Sequence, residues 1–176
     1  MSKINIVALG GQNEIGKNMY VVEVDNKIFV FEAGLKYADD KLLGVDYIIP
    51  NYEYLKDFIA PLIQNGIEVS MFIAPDENQV KACAEIGAKF IELHTGCYSR
   101  AFGGENEEVE FNKLLNATKL AQSLGLTVNA GHGLDYKNVH RMHEIPNLVE
   151  LNIGHSIISR AVFVGLEQAI KEMKNF

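Results

Sequence analysis

Two short runs of this chain each end an apolar stretch with a Gly-His pair. The first is Asn129-Ala130-Gly131-His132-Gly133, and the second is Asn152-Ile153-Gly154-His155. Glycine lets the backbone approach a bound group closely, and histidine can donate or accept a proton near neutral pH. One predicted helix-plus-strand unit separates the two runs. This spacing is typical of successive βα loops at the catalytic face of a barrel, where phosphate sites commonly follow the last two strands.

These residue types suit acid catalysis beside a bound anion. A histidine that titrates near pH 7 can protonate a leaving group. The backbone N–H groups of Gly154 and His155 lie at the start of a predicted helix, whose positive dipole end favours an anion. The alternative is that both runs are tight strand-to-helix turns whose histidines only cap them.

Glu92 is a third candidate because of its place in the strand over Phe90–His94. It lies two residues before His94, and strand alternation puts both side chains on the same side. A carboxylate inside a barrel is costly unless it is paired. Glu92 is therefore either a functional group or a buried carboxylate that a neighbouring donor satisfies.

A His–Cys pair and a His–His pair raise the question of a metal site. His94 lies near Cys97, and His140 lies three residues before His143. A structural or catalytic zinc site needs three or four ligands, and no further ligands gather near either pair. We therefore predict no metal site, and we interpret His140 and His143 as surface residues of a helix.

Four βα units are expected to position these groups. Apolar strands are predicted over 69–74, 90–94, 127–130 and 149–153, and each precedes a helical pattern. Helices are predicted from the N-cap Asp76 to Gly87, up to Gly125, over 136–144 and over 157–173. This alternation indicates parallel strands with right-handed crossovers. Four units are half of an eight-stranded barrel, so two strand edges stay open. They are expected to pair in a homo-oligomer or against residues 1–58.

The opening of the chain follows a different pattern. Short β-rich runs over 4–9, 19–24 and 27–31, with Asp25-Asn26 as a tight turn, predict a small antiparallel module. A short helix over 52–58 then leads to Ala60-Pro61. The predicted fold class is α/β: four βα units of a TIM-type barrel, a half barrel, preceded by this antiparallel β module.

The segment from about residue 60 to 176 resembles the second half of the pyridoxine 5'-phosphate synthase family. The runs that carry the resemblance are Gly66-Ile67-Glu68-Val69-Ser70-Met71-Phe72-Ile73, Ile91-Glu92-Leu93-His94-Thr95-Gly96, Val128-Asn129-Ala130-Gly131-His132-Gly133-Leu134, Glu150-Leu151-Asn152-Ile153-Gly154-His155 and Arg160-Ala161-Val162. The resemblance implies a TIM-type barrel that condenses 1-deoxy-D-xylulose 5-phosphate with 3-amino-2-oxopropyl phosphate in vitamin B6 synthesis. It also implies that no metal or organic cofactor takes part.

The resemblance further assigns roles to individual residues. His132 would be the proton donor and Glu92 a stabiliser of charge during the reaction. Gly133, Gly154 and His155 would bind the phosphate of the amino ketone. The family's N-terminal half supplies a histidine base, a glutamate base and arginine and asparagine contacts with both substrates, and no position here matches them. We therefore expect substrate binding with little or no turnover.

The first 58 residues resemble the start of ribonuclease J, a nuclease with the metallo-β-lactamase fold. The matching runs are Ala8-Leu9-Gly10-Gly11, Glu14-Ile15-Gly16-Lys17-Asn18-Met19-Tyr20, Glu32-Ala33-Gly34-Leu35 and Leu42-Leu43-Gly44-Val45-Asp46-Tyr47-Ile48-Ile49-Pro50. That family binds two zinc ions mainly through an H-x-H-x-D-H motif, and the chain has no such motif. The aspartate that the family usually carries before Ala-Gly-Leu is replaced in this chain by Glu32. A dinuclear site needs several converging ligands, so nuclease activity is not expected.

Residues 11–18 also resemble a phosphate-binding P-loop. The spacing of glycines and Lys17 fits, but Asn18 stands where a hydroxyl should bind magnesium. The next residues, 19–24, predict a strand, whereas a P-loop needs a helix there. We interpret this run as a loop between strands.

Composition limits the remaining classes. The net charge of −7 argues against general nucleic-acid binding, and no apolar run is long enough to span a membrane. Cys83 and Cys97 are too few for a disulfide framework, and a cytoplasmic location is expected.

The predicted domains are 1–58, like ribonuclease J, and 59–176, like the synthase half barrel. The predicted function is therefore that of an impaired synthase acting on small phosphorylated substrates. The alternatives are a noncatalytic, phosphate-binding or dimerising chimera and a metal-dependent nuclease.

Overall fold

The computed structural model describes residues 4–10, 19–24, 27–31 and 52–176, and all structural statements concern these residues. The chain divides into two compact units, Met1–Ile49 and Pro50–Phe176. Each unit is described by itself. The domain boundary expected near residue 58 stays a prediction.

The described part of the first unit is a three-stranded antiparallel sheet. Its strands are β1 (Ile4–Gly10), β2 (Met19–Val24) and β3 (Lys27–Phe31), in the order β1-β2-β3. Val24 pairs with Ile4 on one side and with Lys27 on the other. The antiparallel module is therefore confirmed. The P-loop-like run at 11–18 and the turn at 25–26 lie outside the described residues.

The second unit alternates helices with a parallel sheet, as its apolar strands predict. Its elements are α1 (Tyr52–Gln64), β4 (Ser70–Ile73), α2 (Glu77–Glu85), β5 (Phe90–His94), α3 (Gly96–Ala101), α4 (Glu107–Ser123), β6 (Thr127–Gly131), a 3₁₀ helix (Val139–Glu144), β7 (Glu150–Asn152), α5 (His155–Val164) and α6 (Leu166–Met173). The four strands form one sheet in the order β4-β5-β6-β7, and every pair is parallel.

The two faces of this sheet have different surroundings. Ile91, Leu93 and Val128 lie on one face and are at most 1% exposed, because they pack with the helices in the main core. Residues at alternate positions lie on the other face. That face includes Phe72, which is 56% exposed, and the carboxylate-bearing Glu92. The polar and exposed face is the one expected to line the interior of a barrel.

The helix boundaries correct the sequence-based prediction in four places. The single helix expected over 157–173 is two helices, because Gly165 has φ 81° and ψ 154°, which no helix accommodates. Helix α1 continues past Pro61 to Gln64 rather than ending at 58. Helix α3 was not predicted, and the helix expected over 136–144 is a 3₁₀ helix from Val139. By contrast, Asp76 caps α2 as predicted, since its carboxylate accepts from the N–H groups of Asn78 and Gln79.

In the described part of the chain, we find no helix that is both long and apolar enough to cross a membrane.

Candidate active site

A cleft of about 400 Å³ lies at the carboxyl ends of the parallel strands. Its walls come from β4, β5 and β7 and from the segments that follow β6 and β7. The lining residues are Phe72, Glu92, His132, Gly133, Leu134, Asn152, Ile153, Gly154 and His155. The structure thus brings together all of the residues singled out from the sequence as catalytic or substrate-binding, although they come from separate segments.

His132 occupies an unusual backbone conformation that its neighbours hold in place. Its φ is 81°, in the left-handed region that residues with a side chain rarely adopt. The hydroxyl of Thr95, which is fully buried, lies 2.6 Å from the carbonyl oxygen of His132 and 2.7 Å from that of Gly131, and its one hydrogen can be donated to either. The N–H of Thr95 also donates to Gly131. These bonds fix the turn that carries the His132 ring, which remains exposed.

Removing the Thr95 hydroxyl is expected to weaken this part of the sheet. Thr95→Val leaves the His132 carbonyl without its donor and should cost about 1–3 kcal/mol. Thr118 provides a matched control, because it is equally buried but its hydroxyl has no hydrogen-bond partner. Thr118→Val should therefore be neutral or stabilising. Hydrogen exchange of peptides covering β5 and β6, measured along a urea series, compares the two. Equal losses in both variants would contradict the role given to Thr95.

The ring of His132 stacks on the ring of His94. The ring centroids are 4.6 Å apart with an angle of 29° between the planes, and Phe72 contacts His94 edge-on at 5.4 Å. Burial lowers the pKa of His94, and the charges of His132 and Arg100 lower it further. His94 thus favours its neutral form. Gly96 makes room for the stack, because a Cβ there would lie 2.5 Å from Cε1 of His94.

Glu92 is paired with Asn152, two strands away across the sheet. The Asn152 side-chain amide donates to Oε2 of Glu92 at 2.8 Å. Burial raises the pKa of the Glu92 carboxyl. The Asn152 hydrogen bond opposes this rise, Glu150 adds to it, and His132 opposes it. Glu92 thus has a neighbouring donor and also lines the cleft.

The turn from β7 into α5 presents free backbone donors to the same cleft. Gly154 is the N-cap residue of α5, and no side chain caps this helix. The hydroxyl of Ser156 donates to the carbonyl of Leu134 at 2.8 Å, which ties the start of α5 to the loop after β6. Gly133, in that loop, has φ 78° and faces the Ser99 side chain closely. The open N–H groups at the start of α5 suit an anion.

The described residues hold no group of three His, Cys, Asp or Glu side chains that could bind a metal ion. His94 contacts aromatic rings rather than Cys97. His140 and His143 are exposed, and their rings contact the backbone carbonyls of Lys137 and Phe176.

Sequence reasoning missed three residues of the site. Thr95 and Asn152 lie inside the runs that signalled the site, but nothing in those runs marked them as hydrogen-bonding partners of the functional groups. Phe72 is apolar, so the sequence pattern alone did not distinguish it from a core residue. Its register partner in β5 is Glu92, so strand alignment places both on the same face.

Comparisons with known proteins point to one family. The family model described as pyridoxal phosphate biosynthesis protein PdxJ matches residues 32–176. Pyridoxine 5'-phosphate synthase of Sulfurihydrogenibium sp. (strain YO3AOP1) is 51% identical over 131 residues, which are 74% of this chain and 53% of the relative. The enzyme of that name from Prochlorococcus marinus (strain MIT 9515) is 52% identical over 124 residues, 70% of this chain and 52% of the relative.

The chain spans about half the length of the curated relatives it matches. The family match begins at residue 32, within the segment that resembles ribonuclease J, and that resemblance stays a prediction. The comparisons support neither a nuclease nor a noncatalytic chimera. Because the match covers most of the chain and includes every residue that lines the cleft, the chain belongs to the PdxJ family of pyridoxal phosphate biosynthesis proteins.

Proposed function

We propose that the chain holds the part of a pyridoxine 5'-phosphate synthase site that binds the amino-ketone phosphate and supplies the proton donor. One observation carries the proposal: Glu92, His132 and the Gly154 turn, from three separate segments, line a single cleft. The reaction would be condensation of 3-amino-2-oxopropyl phosphate with 1-deoxy-D-xylulose 5-phosphate. Small phosphorylated compounds are thus the proposed ligands.

His132 suits the proton-donor role because its ring is exposed at the cleft while its backbone is fixed. Ring closure requires the loss of hydroxyl and phosphate leaving groups, and an acid that protonates the departing oxygen lowers that barrier. Condensation of an amine with a ketone also passes through a protonated imine. The carboxylate of Glu92 would stabilise that positive charge from the same side of the cleft.

The Gly154 turn suits the phosphate. The first N–H groups of α5 have no side-chain cap, and the helix dipole adds to their attraction for an anion. A Cβ on Gly154 would meet no atom within 4 Å, so the space beside the turn is open. Gly133 lines the same cleft.

Phosphate binding tests the proposal directly. In a ¹H–¹⁵N NMR titration with dihydroxyacetone phosphate, the amide signals of Gly133, Gly154 and His155 should shift together and saturate. Helix α6 offers an internal control, since it also follows a glycine and has no side-chain cap. The amide of Leu166 should not shift. Comparable shifts at Leu166, or none at Gly154, would contradict the site.

We also propose that the half barrel associates with a second copy. Within the described sheet, β4 and β7 each pair on one side only. Parallel sheets are normally covered on both faces, yet Phe72 on the inner face is 56% exposed. Two copies would supply the eight strands that close a barrel. Light scattering should therefore give twice the chain mass of 19.6 kDa, and a monomer would contradict this proposal.

A further inference from the structure

The Glu92 side chain crosses the neighbouring strand β6 to reach its partner on β7. In the sheet order, β6 lies between β5, which carries Glu92, and β7, which carries Asn152. The bond between the Asn152 amide and Oε2 of Glu92 is 2.8 Å long. A side chain that spans two strands needs an unobstructed path over the strand between them.

Gly131 provides that path. It pairs with both His94 on β5 and Asn152 on β7. A Cβ at Gly131 would lie 2.4 Å from Oε1 of Glu92, so this carboxylate oxygen rests directly over the glycine. The hydrogen bond from Asn152 uses the other oxygen, Oε2. Oε1 is therefore left at the cleft wall, beside the loop that carries His132.

We infer that Asn152 is a positioning residue: its amide holds one oxygen of Glu92, so that the other oxygen stays over Gly131 and available to a bound substrate. The inference rests on the proposed function for the role that Glu92 would play. Asn152 itself need not touch the reacting atoms. Its contribution is to restrict a flexible carboxylate to one orientation and to favour the ionised form through a hydrogen bond.

Several charged groups face Glu92, and they determine how much the loss of the Asn152 amide can change the Glu92 pKa. Glu150 lies on the same face of β7 and raises the Glu92 pKa, whereas the Asn152 amide and His132 lower it. His94 shares the strand and stacks on His132. Loss of the amide leaves burial and Glu150 in place, so the Glu92 pKa should rise further.

The test is a carboxyl ¹³C NMR titration of the full chain without ligand. The Glu92 signal is assigned by its absence in Glu92→Gln. In Asn152→Ala, the Glu92 pKa should rise by at least about half a unit because a hydrogen bond to the charged form is lost. Asn129→Ala is the matched control, since Asn129 is the register partner of Glu92 in β6 but makes no hydrogen bond with it. That control should shift the pKa by less than about 0.2 units.

A second variant keeps the inference falsifiable if Asn152→Ala does not fold. Asn152→Asp has nearly the same shape but replaces the donor with a second carboxylate, so it should raise the Glu92 pKa more than alanine does. An unchanged Glu92 pKa in either folded variant, or an equal rise in Asn129→Ala, would overturn the inference.

Phosphate binding, measured separately on the same samples, distinguishes the two proposals. The anion is assigned to backbone N–H groups of the Gly154 turn, so phosphate binding reports on the anion site and the Glu92 pKa reports on the positioning. If the parent chain binds no phosphate but the Glu92 pKa still responds to Asn152, the proposed function fails and the positioning survives. Loss of phosphate binding in Asn152→Ala with no change in the Glu92 pKa would instead overturn the positioning.

Discussion

Gly131→Ala should destabilise the parallel sheet by about 1–3 kcal/mol, as overpacking of a close-packed position commonly does. The added methyl would lie 2.4 Å from Oε1 of Glu92 and 2.8 Å from the backbone oxygen of Asn152. The Glu92 carboxylate can swing aside, which breaks its bond with Asn152. The Asn152 oxygen belongs to strand β7 and cannot move without separating β6 from β7. The variant should thus lose both stability and the orientation of Glu92.

Gly154→Ala is the matched control for this prediction. A Cβ there meets nothing within 4 Å, and the φ of −112° is ordinary for alanine. Its stability should stay within about 0.5 kcal/mol of the parent chain. Hydrogen exchange of peptides covering β6 and β7 along a urea series measures both variants within the second unit. If Gly131→Ala were as stable as Gly154→Ala, the close approach of Glu92 and β7 to Gly131 would be wrong.

The parallel sheet could be predicted because local sequence and tertiary structure agree there. Each strand is a short apolar run, and all four are present in chain order. The cap at Asp76 and the strand over Phe90–His94 were predicted correctly. The five predicted site residues also meet, since carboxyl ends of neighbouring parallel strands lie at one edge of a sheet.

The parts that could not be predicted depend on contacts between distant residues. The pairing of Glu92 with Asn152 depends on Gly131 lying between them, which strand register determines and local pattern does not. The left-handed turn at His132 depends on the buried hydroxyl of Thr95. The break at Gly165 was missed because the apolar spacing of Val162, Leu166 and Ile170 continues through it, and periodicity does not register a single non-helical φ and ψ.

The helices on either side of the break differ in burial. Helix α5 has no buried residue, and Val162 and Phe163 are 78% and 84% exposed. Helix α6, in contrast, buries Ala169 and Met173. The hydroxyl of Tyr136 donates to the carbonyl of Ala169 at 2.9 Å, which attaches α6 to the segment after β6. The apolar side of α5 therefore adds to the surface available to the second copy proposed above.

His132→Ala should lower the rate of pyridoxine 5'-phosphate formation about 10²–10⁴-fold, the usual contribution of a general acid. The assay combines 1-deoxy-D-xylulose 5-phosphate with 3-amino-2-oxopropyl phosphate and measures the product. Phosphate binding should stay close to that of the parent chain, because the proposed anion contacts are the N–H groups of the Gly154 turn. His140→Ala is the matched control, since His140 is exposed and lies outside the cleft.

Comparing the rate with the phosphate affinity separates proton transfer from anion binding, because each is assigned to different groups of the cleft. A rate that falls in His132→Ala and not in His140→Ala assigns the proton to the ring stacked on His94. Equal rates in the parent and His132→Ala would refute that assignment. The low parent rate expected from the sequence, in which no motif matches the bases of the family's N-terminal half, stays a prediction. If phosphate shifts the Gly154 amide signal but no product forms, the chain binds phosphate without catalysing the reaction. If product forms in the parent chain and is lost in His132→Ala, other residues of the chain supply those bases.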